Sequence, residues 1–354
     1  MIDAGAAASL ALDPPRAFGA APGTGLMKLA PEDFVVEERL GFAADGGSAH
    51  VLLKVRKRGK DTLRVARELA RSADVAVRDV GFAGLKDREA IAVQWFTLPA
   101  RRPAADWAGL AGEGWAVEEA LPHSRKLRRG ALRGNHFTIT LREVAAAPAA
   151  LAERLALLAR TGVPNYFGPQ RFGRGGANLE AVARFALDGQ LPDGREPRAF
   201  VYSAARALVF NALLAGRVGD GSWQRLLAGE FVNLAGRHSW FVAETIDAVL
   251  EERLARFDIH PTGPLPGRGA GPGGEAGRIE SGVLAGFGVL PARLEAAGLE
   301  AARRPLRLVP EGLTSSHHGT AVTLEFGLPA GGYATVVLRE LLHTEPLPGE
   351  ASDD

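Results

Sequence analysis

The order of strand-like and helix-like segments is the feature that most constrains how this chain can fold. Alternating apolar and polar residues, typical of strands, occur between residues 33 and 141, whereas helical spacing dominates between residues 150 and 256. The alternation resumes after Pro305. This order predicts an α+β protein in which a mainly helical domain is inserted into a domain whose halves come from both ends of the chain.

The individual elements follow from the same patterns. Strands are predicted at 33–38, 50–55, 80–83, 91–98, 135–141, 306–309 and 320–326. Helices are predicted at 62–72, 150–159, 179–185, 203–214, 223–228, 245–256 and 334–342, with Thr62 as the N-cap of the first. Residues 1–25 are predicted to form a flexible, loosely held arm. The stretch 261–278, in which Gly and Pro supply 11 of 18 residues, is predicted to be a long loop.

Composition limits the classes of protein that remain. The chain has no cysteine, which excludes disulfides, thiolate metal sites and cysteine nucleophiles and fits a reducing cytoplasm. No apolar run approaches the roughly 20 residues of a membrane span, so a soluble, cytoplasmic protein is predicted. The formal net charge of +1 conceals two basic stretches, 54–71 with eight Lys or Arg residues and 125–133 with five. Phosphate binding needs such a local patch rather than a basic protein.

The stretch 81–96, GFAGLKDREAIAVQWF, places four consecutive charges between two strand-like runs. One interpretation is a solvent-exposed turn between strands. The other is a reactive acid presented to an anionic substrate, because Lys86 and Arg88 would favour the ionised form of Asp87 and offer cations to phosphates. The two glycines before the charges permit unusual backbone geometry. The residues alone leave both interpretations open.

Two further stretches combine aromatic and polar side chains. Residues 125–137, RKLRRGALRGNHF, join five basic residues to an amide and a ring, a combination that holds unstacked bases while cations engage phosphates. The alternative is a basic loop leading into a strand whose Phe137 belongs to the core. Residues 163–173, VPNYFGPQRFG, are compatible with either an aromatic domain junction or a binding surface.

Common cofactor and metal motifs are absent or out of context. The GxGxxG match that begins at Gly269 lies in a Gly- and Pro-rich stretch without a preceding strand, and no GxxxxGK[ST] occurs. His317 and His318 are adjacent but lack carboxylates at ligand spacing, so no metal site is predicted.

Together these motifs resemble those of the TruD family of tRNA pseudouridine synthases. The similarity spans residues 28–339 and rests on segments in the family's order: LAPEDFVVEE, GFAGLKDREAIAVQWF, RGNHF, VPNYFGPQRFG, YSAARALVFN and FGLPAGGYATVVLRE. The resemblance implies a pseudouridine synthase catalytic core with a mixed, largely antiparallel sheet, plus an inserted, mainly helical α/β domain. The implied boundaries are 26–160 with 309–345 for the catalytic domain, 161–308 for the insertion and 346–354 for an acidic tail.

The resemblance also implies a reaction and its residues. Asp87 matches the catalytic aspartate, which attacks C1′ or deprotonates C2′ of the nucleoside; that choice stays open. The other matching positions are substrate-binding residues Phe34, Asn135, Phe137 and Tyr333, with Tyr where the family commonly has Phe, and a nearby cation, Lys28. Candidates for RNA-backbone contacts are Lys86, Arg88, Arg128 and Arg129.

The implied substrate is uridine 13 of tRNA, which is isomerised to pseudouridine without a metal or organic cofactor. The enzyme is expected to be a cytoplasmic monomer that flips the target base into an aromatic pocket. Two rival functions stay open at this point. One is an RNA-binding or RNA-chaperone protein without chemistry, and the other is a nucleoside hydrolase or glycosidase that releases free base.

Overall fold

The structure is a computed structural model that describes residues 3–237 and 239–345; the predicted acidic tail lies outside them. The helices are α1 Ala4–Leu12, α2 Thr62–Ser72, α3 Pro148–Thr161, α4 Ala177–Asp188, α5 Arg195–Gly219, α6 Ala248–Ala255, α7 Gly274–Gly286, α8 Leu290–Ala296 and α9 Ala334–Leu341. The strands of the first half are β1 Gly23–Met27, β2 Phe34–Leu40, β3 His50–Lys57, β4 Gly81–Phe82, β5 Ile91–Pro99, β6 Ala111–Gly112, β7 Trp115–His123, β8 Leu132–Ala146 and β9 Val163–Pro164. Those of the second half are β10 Glu230–Leu234, β11 Trp240–Ala243, β12 Ile259–Leu265, β13 Ala302–Pro305, β14 Arg307–Leu308, β15 Glu311–His318, β16 Ala321–Pro329 and β17 His343–Glu345.

The chain divides into two compact units. One, here called the sheet unit, comprises Pro22–Leu155, Pro310–Ala334 and Leu341–Asp354. The other, here called the insert unit, comprises Met1–Ala21, Ala156–Val309 and Thr335–Glu340.

The sheet unit is built on one large sheet. Its strands run in the order β15-β16-β8-β2-β5-β3-β7-β6, with β1 beside β8 and β17, and β4 beside β5. The pairs β2–β5 and β1–β17 are parallel, and the other described pairs of this sheet are antiparallel. The predicted α+β class with a mixed, largely antiparallel sheet is confirmed.

Helix α2 covers one face of this sheet. Its apolar stripe, which includes Val65 and Leu69, packs with Leu53 of β3 and Phe96 of β5 in a buried core. The helix has the predicted bounds, but its N-cap is Asp61, whose carboxylate accepts the backbone N–H of Arg64 at 2.8 Å. Thr62 is therefore the first helical residue, and its hydroxyl is free to bond elsewhere.

The insert unit is organised around α5, which places twelve buried residues against its neighbours. A four-stranded sheet in the order β11-β10-β12-β13 belongs to the same unit. Among the described residues, α5 is the one helix long and apolar enough to cross a membrane, but 56% of its apolar window is buried within the protein. It also carries Arg217, which forms a buried ion pair with Glu230 at 3.0 Å. These contacts are those of a core helix.

Local signals misplace several elements of the insert unit. The predicted loop at 261–278 is in fact strand β12, a short connection and helix α7, because burial of six consecutive residues from Ile259 to Pro264 overrides the low strand propensity of proline. The predicted helix at 223–228 is reduced to a single 3-10 turn, Ser222–Gln224. Strands β10 to β13 were not predicted from the sequence.

The N-terminal segment also differs from the predicted arm. Residues Ala4–Leu12 form α1. Its N-cap is Asp3, whose carboxylate accepts the N–H of Ala6 at 2.8 Å. Ala11 is fully buried, and Asn211 of α5 donates to the Leu10 carbonyl at 2.9 Å. The alanine-rich composition therefore reflects helix formation and close packing within the insert unit.

We expect Gly81→Ala to destabilise the protein by about 1–3 kcal/mol, because a Cβ there would lie 2.3 Å from Thr97 Oγ1 and 2.5 Å from the Leu127 carbonyl oxygen. Gly84→Ala is the matched control, since a Cβ at Gly84 meets no atom within 4 Å. Urea unfolding of both variants measures the difference. Equal midpoints would show that the backbone at Gly81 yields without cost.

Candidate active site

The aspartate loop, residues 83–90, connects β4 to β5 in the sheet unit. Phe82 pairs with Phe96 across this connection, so the predicted turn between two strands is present. Neither Gly81 nor Gly84 has a positive φ, so neither uses the unusual backbone geometry that a glycine permits. Gly81 instead allows close approach of the Leu127 backbone.

Polar side chains hold the backbone of this loop before the aspartate. Gln94 of β5, fully buried, donates to the Gly84 carbonyl at 2.6 Å and accepts from the Thr62 hydroxyl at 3.0 Å. The same hydroxyl accepts the backbone N–H of Lys86 at 2.9 Å. Gly84 and Lys86, the residues on either side of Leu85, are thus fixed by one pair of side chains.

Asp87 and Lys28 form an ion pair on the surface of the sheet unit. Lys28 Nζ lies 2.9 Å from Asp87 Oδ2, and the Asp87 side chain is 49% exposed. Lys28 directly follows β1 and has a φ of 61°, a left-handed conformation that is uncommon for a lysine. Strain of this kind is often found at functional sites, where neighbouring contacts impose it.

The site favours the ionised form of Asp87. Partial desolvation acts to raise the pKa of this carboxyl, but the hydrogen bond and charge of Lys28 and the backbone N–H groups of Glu89 and Arg88 outweigh it. The net result is a pKa below the usual aspartate value. The backbone N–H of Glu89 donates to Asp87 Oδ1 at 3.2 Å.

The side chain of Lys86 is directed into the protein and is not free on the surface. Its side chain is 10% exposed, and its Nζ lies 3.2 Å from the buried Glu38 carboxylate and 2.6 Å from Asn135 Oδ1. This arrangement differs from the predicted RNA-backbone contact. Lys86 instead holds the side-chain amide of Asn135, which is itself buried on β8.

Glu38 completes this buried group. Burial raises the pKa of its carboxyl, and the charge of Lys86 and the backbone N–H of Trp95 oppose that rise. The Trp95 N–H donates to Glu38 Oε2 at 2.9 Å. Sequence reasoning did not select Glu38, although the period of two in DFVVEE places it on the same face as the buried Val36.

An aromatic cluster adjoins the ion pair. Lys28 Nζ lies 5.1 Å from the centroid of the Phe34 ring, and that ring makes a T-shaped contact with Phe137 at a centroid distance of 6.0 Å. Phe137 also stacks on Phe326 at 5.6 Å. Because Phe137 is only 6% exposed, it lies in the core of the sheet unit, and its stacking on a substrate base stays a prediction. Tyr333 is partly buried immediately before α9, and its substrate contact also stays a prediction.

The remaining predicted cations lie on the surface. Arg88 is exposed, and its Nε donates to the Gly59 carbonyl at 3.3 Å. Arg128 and Arg129 are exposed in the turn before β8, where the guanidinium of Arg129 lies 4.1 Å from the centroid of the Phe82 ring. The N–H of Gly130 bonds to the Ala83 carbonyl at 2.8 Å, which joins this turn to the start of the aspartate loop.

Most of the basic stretch 54–71 is already paired within the protein. Its ion pairs at 2.5–2.8 Å are Lys54–Glu37, Arg56–Glu118, Arg58–Glu32 and Lys60–Glu68. Lys57 and Lys60 are buried. By contrast, none of the ion pairs between described residues involves a cation of the turn at 125–133, which is bonded to the aspartate loop through Gly130.

The site as a whole presents one ionised, half-exposed carboxylate between cations and beside an aromatic cluster. It lies on the large mixed sheet of the sheet unit. Within the part of the chain that the structure describes, no group of three or more His, Asp or Glu side chains is placed to hold a metal ion.

Comparisons with known proteins define the family. The tRNA pseudouridine synthase D (TruD) family model matches residues 17–193 and 197–341. Curated relatives named tRNA pseudouridine synthase D include those of Nitrosococcus oceani, 45% identical over 96% of this chain and 94% of the relative, and Methylococcus capsulatus, 43% identical over 94% and 95%. The chain belongs to the tRNA pseudouridine synthase D family, and membership in this family of isomerases, as implied by the sequence motifs, is confirmed.

The fold has a solved counterpart. A crystal structure from Methanosarcina mazei, described as a candidate tRNA pseudouridine synthase D (TruD), matches with a TM-score of 0.72 over 97% of this chain and 98% of its own. The two sequences are 21% identical, so this similarity concerns the fold.

We expect Lys28→Met to raise the pKa of Asp87, because the ammonium group that favours the carboxylate is removed. Carboxyl-carbon NMR titration of Asp87 in both proteins measures the shift without reference to activity. Lys54→Met is the matched control, since Lys54 pairs with Glu37 rather than Asp87. An unchanged titration in Lys28→Met would contradict the electrostatic role assigned to Lys28.

Proposed function

We propose that this protein isomerises uridine 13 of tRNA to pseudouridine and that Asp87 is the catalytic carboxylate. The observation that carries the proposal is the ion pair of Asp87 with Lys28, since it keeps a half-exposed carboxylate ionised on a fixed loop. The matching curated relatives are named tRNA pseudouridine synthase D, which supports the substrate class.

The reaction breaks the N1–C1′ bond of uridine, turns the uracil and joins C5 to C1′, while the proton on C5 is lost to solvent and N1 gains one. No atom other than a proton is exchanged, so the scheme needs no metal or organic cofactor. An ionised Asp87 can attack C1′ as a nucleophile or remove the C2′ proton as a base. Both routes require the form of the carboxyl that Lys28 stabilises.

Access to the bond requires extrusion of the target base from folded RNA, which costs a few kcal/mol. Phosphate contacts at Arg128 and Arg129 would offset part of this cost. Phe34, Phe137 and Tyr333 are the aromatic residues proposed to receive the base, and Asn135 is the proposed hydrogen-bonding amide. The amide of Asn135 is oriented for this by Lys86, 2.6 Å from its oxygen.

The side chains of this proposed site come from one chain and from the sheet unit. Nothing in the scheme therefore requires a second copy, and the proposal retains a monomeric enzyme acting in the cytoplasm on tRNA.

We expect Asp87→Asn to abolish pseudouridine formation while tRNA affinity changes by less than about threefold, because the substitution removes the charge with little change in shape. Product is measured by mapping pseudouridine in a tRNA with uridine at position 13, and affinity by filter binding. Glu89→Gln, a neighbouring charge removal in the same loop, is the matched control and should stay active. Pseudouridine formation by Asp87→Asn would refute the role of Asp87, and release of free uracil by the wild-type protein would indicate a hydrolase instead.

We expect charge reversal at Arg128 and Arg129 to weaken tRNA binding and to reduce the slope of log K against log salt by about one to two. The slope falls because binding with fewer phosphate contacts releases fewer counterions from the RNA. Arg101→Glu is the control, because Arg101 is an exposed arginine that follows β5, whereas the aspartate loop precedes that strand, and its partner is Asp74 at 3.7 Å. A salt slope equal to that of the wild type would remove the Arg128–Arg129 turn from the RNA interface.

A further inference from the structure

A buried lysine lies beneath the aspartate loop and has no part in the reaction described above. Lys57, the last residue of β3, is 1% exposed. Its Nζ donates to the backbone carbonyl of Asp87 at 2.7 Å and to that of Lys60 at 2.8 Å, and it lies 3.5 Å from that of Lys86. One ammonium group thus contacts the carbonyl oxygen of the proposed catalytic residue itself.

The three carbonyls belong to two segments that are distant in sequence. Lys60 lies in the connection between β3 and α2, whereas Lys86 and Asp87 lie in the aspartate loop. Arg88 makes a second link between them through its 3.3 Å bond to the Gly59 carbonyl. Of these two linking side chains, Lys57 is buried and Arg88 is exposed. The ammonium group of Lys57 contacts the carbonyl oxygens of the peptide groups on both sides of Asp87.

We propose that Lys57 is a positioning residue, whose ammonium group fixes the backbone at Asp87 in the orientation that the isomerisation requires. The proposal rests on the function proposed above for Asp87. Lys57 acts through the backbone and touches neither the carboxylate nor the substrate.

A lysine is costly at this position, which argues for a specific role. Its neighbours on the same face of β3, Leu53 and Val55, belong to the apolar core together with Val51. Taking a charge out of water costs several kcal/mol, and no carboxylate oxygen within the described residues forms an ion pair with Lys57 Nζ. An ammonium group has three donors and no acceptor, which matches three converging carbonyl oxygens.

The charge state of Lys57 depends on pH near the physiological range. Burial lowers the pKa of Lys57 to about 8, an effect that Asp87, Asp61 and Glu38 oppose and that Lys86 reinforces. Below this pH the ammonium form can donate to all three carbonyls. Above it the neutral amine has two donors and directs a lone pair at one carbonyl oxygen, so the loop loses a bond and the reaction should slow.

The test compares full-length wild-type protein with Lys57→Met and Lys57→Arg on a tRNA carrying uridine 13. Single-turnover rates and tRNA dissociation constants are measured between pH 6 and 9.5. Methionine keeps the length of the side chain but removes its donors, whereas arginine stays charged throughout this range. We expect Lys57→Met to lower the single-turnover rate about tenfold or more at pH 7, with a dissociation constant within twofold of the wild-type value.

The pH profiles distinguish a positioning role from a merely structural one. The wild-type rate should fall above about pH 8. Lys57→Arg should have the same rate at pH 9 as at pH 7. Lys57→Met should be slow at pH 7 and should not slow further at pH 9. Titration of the RNA would affect all three proteins alike, so Lys57→Arg controls for it. An equal alkaline loss in Lys57→Arg, or a Lys57→Met rate within twofold of wild type, would overturn the proposal.

Near-ultraviolet circular dichroism and thermal unfolding establish that each variant is folded. If Lys57→Met does not fold, the wild-type and Lys57→Arg profiles still decide the question, because a wild-type rate that is flat to pH 9.5 contradicts the proposal. Wild-type protein that makes no pseudouridine would refute the proposed function as a whole. Wild-type protein that does, together with a fully active Lys57→Met, would refute only the positioning role.

Discussion

The sheet unit depends on the pairing of strand β8 with neighbours from both ends of the chain. β8 is hydrogen-bonded to β2 on one side and to β16 on the other, and these partners lie about 100 residues before it and 190 after it. The register places Phe137 opposite Val36 and Phe326, and Asn135 opposite Glu38 and Leu328. A slip of one residue would exchange the two faces of the strand.

This register brings together the groups of the site. Because directly opposed residues of an antiparallel pair share a face, the Asn135 amide and the Glu38 carboxylate point to the same side of the sheet. Lys86 then bonds to both from the aspartate loop. The position of the loop is therefore set by a strand that is almost fifty residues further along the chain.

The two ion pairs that the aspartate loop forms, Lys86–Glu38 and Lys28–Asp87, have different physical roles. Lys86 and Glu38 are almost completely buried, so each would leave an uncompensated charge if the other were removed. Lys28 and Asp87 are partly exposed, and their interaction is weaker because water screens it. A buried pair suits the fixing of a structure, whereas the proposed function requires a solvent-accessible carboxylate that can leave its lysine for a substrate.

The sequence was sufficient for the class of fold and the location of α2, since amphipathic periodicity and buried alternation are local signals. It was also sufficient for the family, because several motifs occur in one order. It misassigned Thr62, since Asp61 is an equally good cap one residue earlier, and only the tertiary structure shows that the Thr62 hydroxyl is needed by Gln94 and Lys86. The charge run KDRE gave no indication that Lys86 is directed inward and Arg88 outward, because that depends on contacts distant in sequence.

The anchors that sequence reasoning missed act on the backbone of the aspartate loop rather than on its side chains. Gln94 bonds to the carbonyl of Gly84, Thr62 to the N–H of Lys86, and Lys57 to the carbonyl of Asp87. Backbone groups carry no residue-specific pattern, so partners of this kind leave only a weak trace: a buried polar side chain in a mostly apolar strand, such as Gln94 in IAVQWFTL. Holding a loop by its peptide groups has a physical advantage, because it fixes the position of Asp87 while leaving the carboxylate itself available. The Asp87 side chain can then be rigidly placed and still be half exposed.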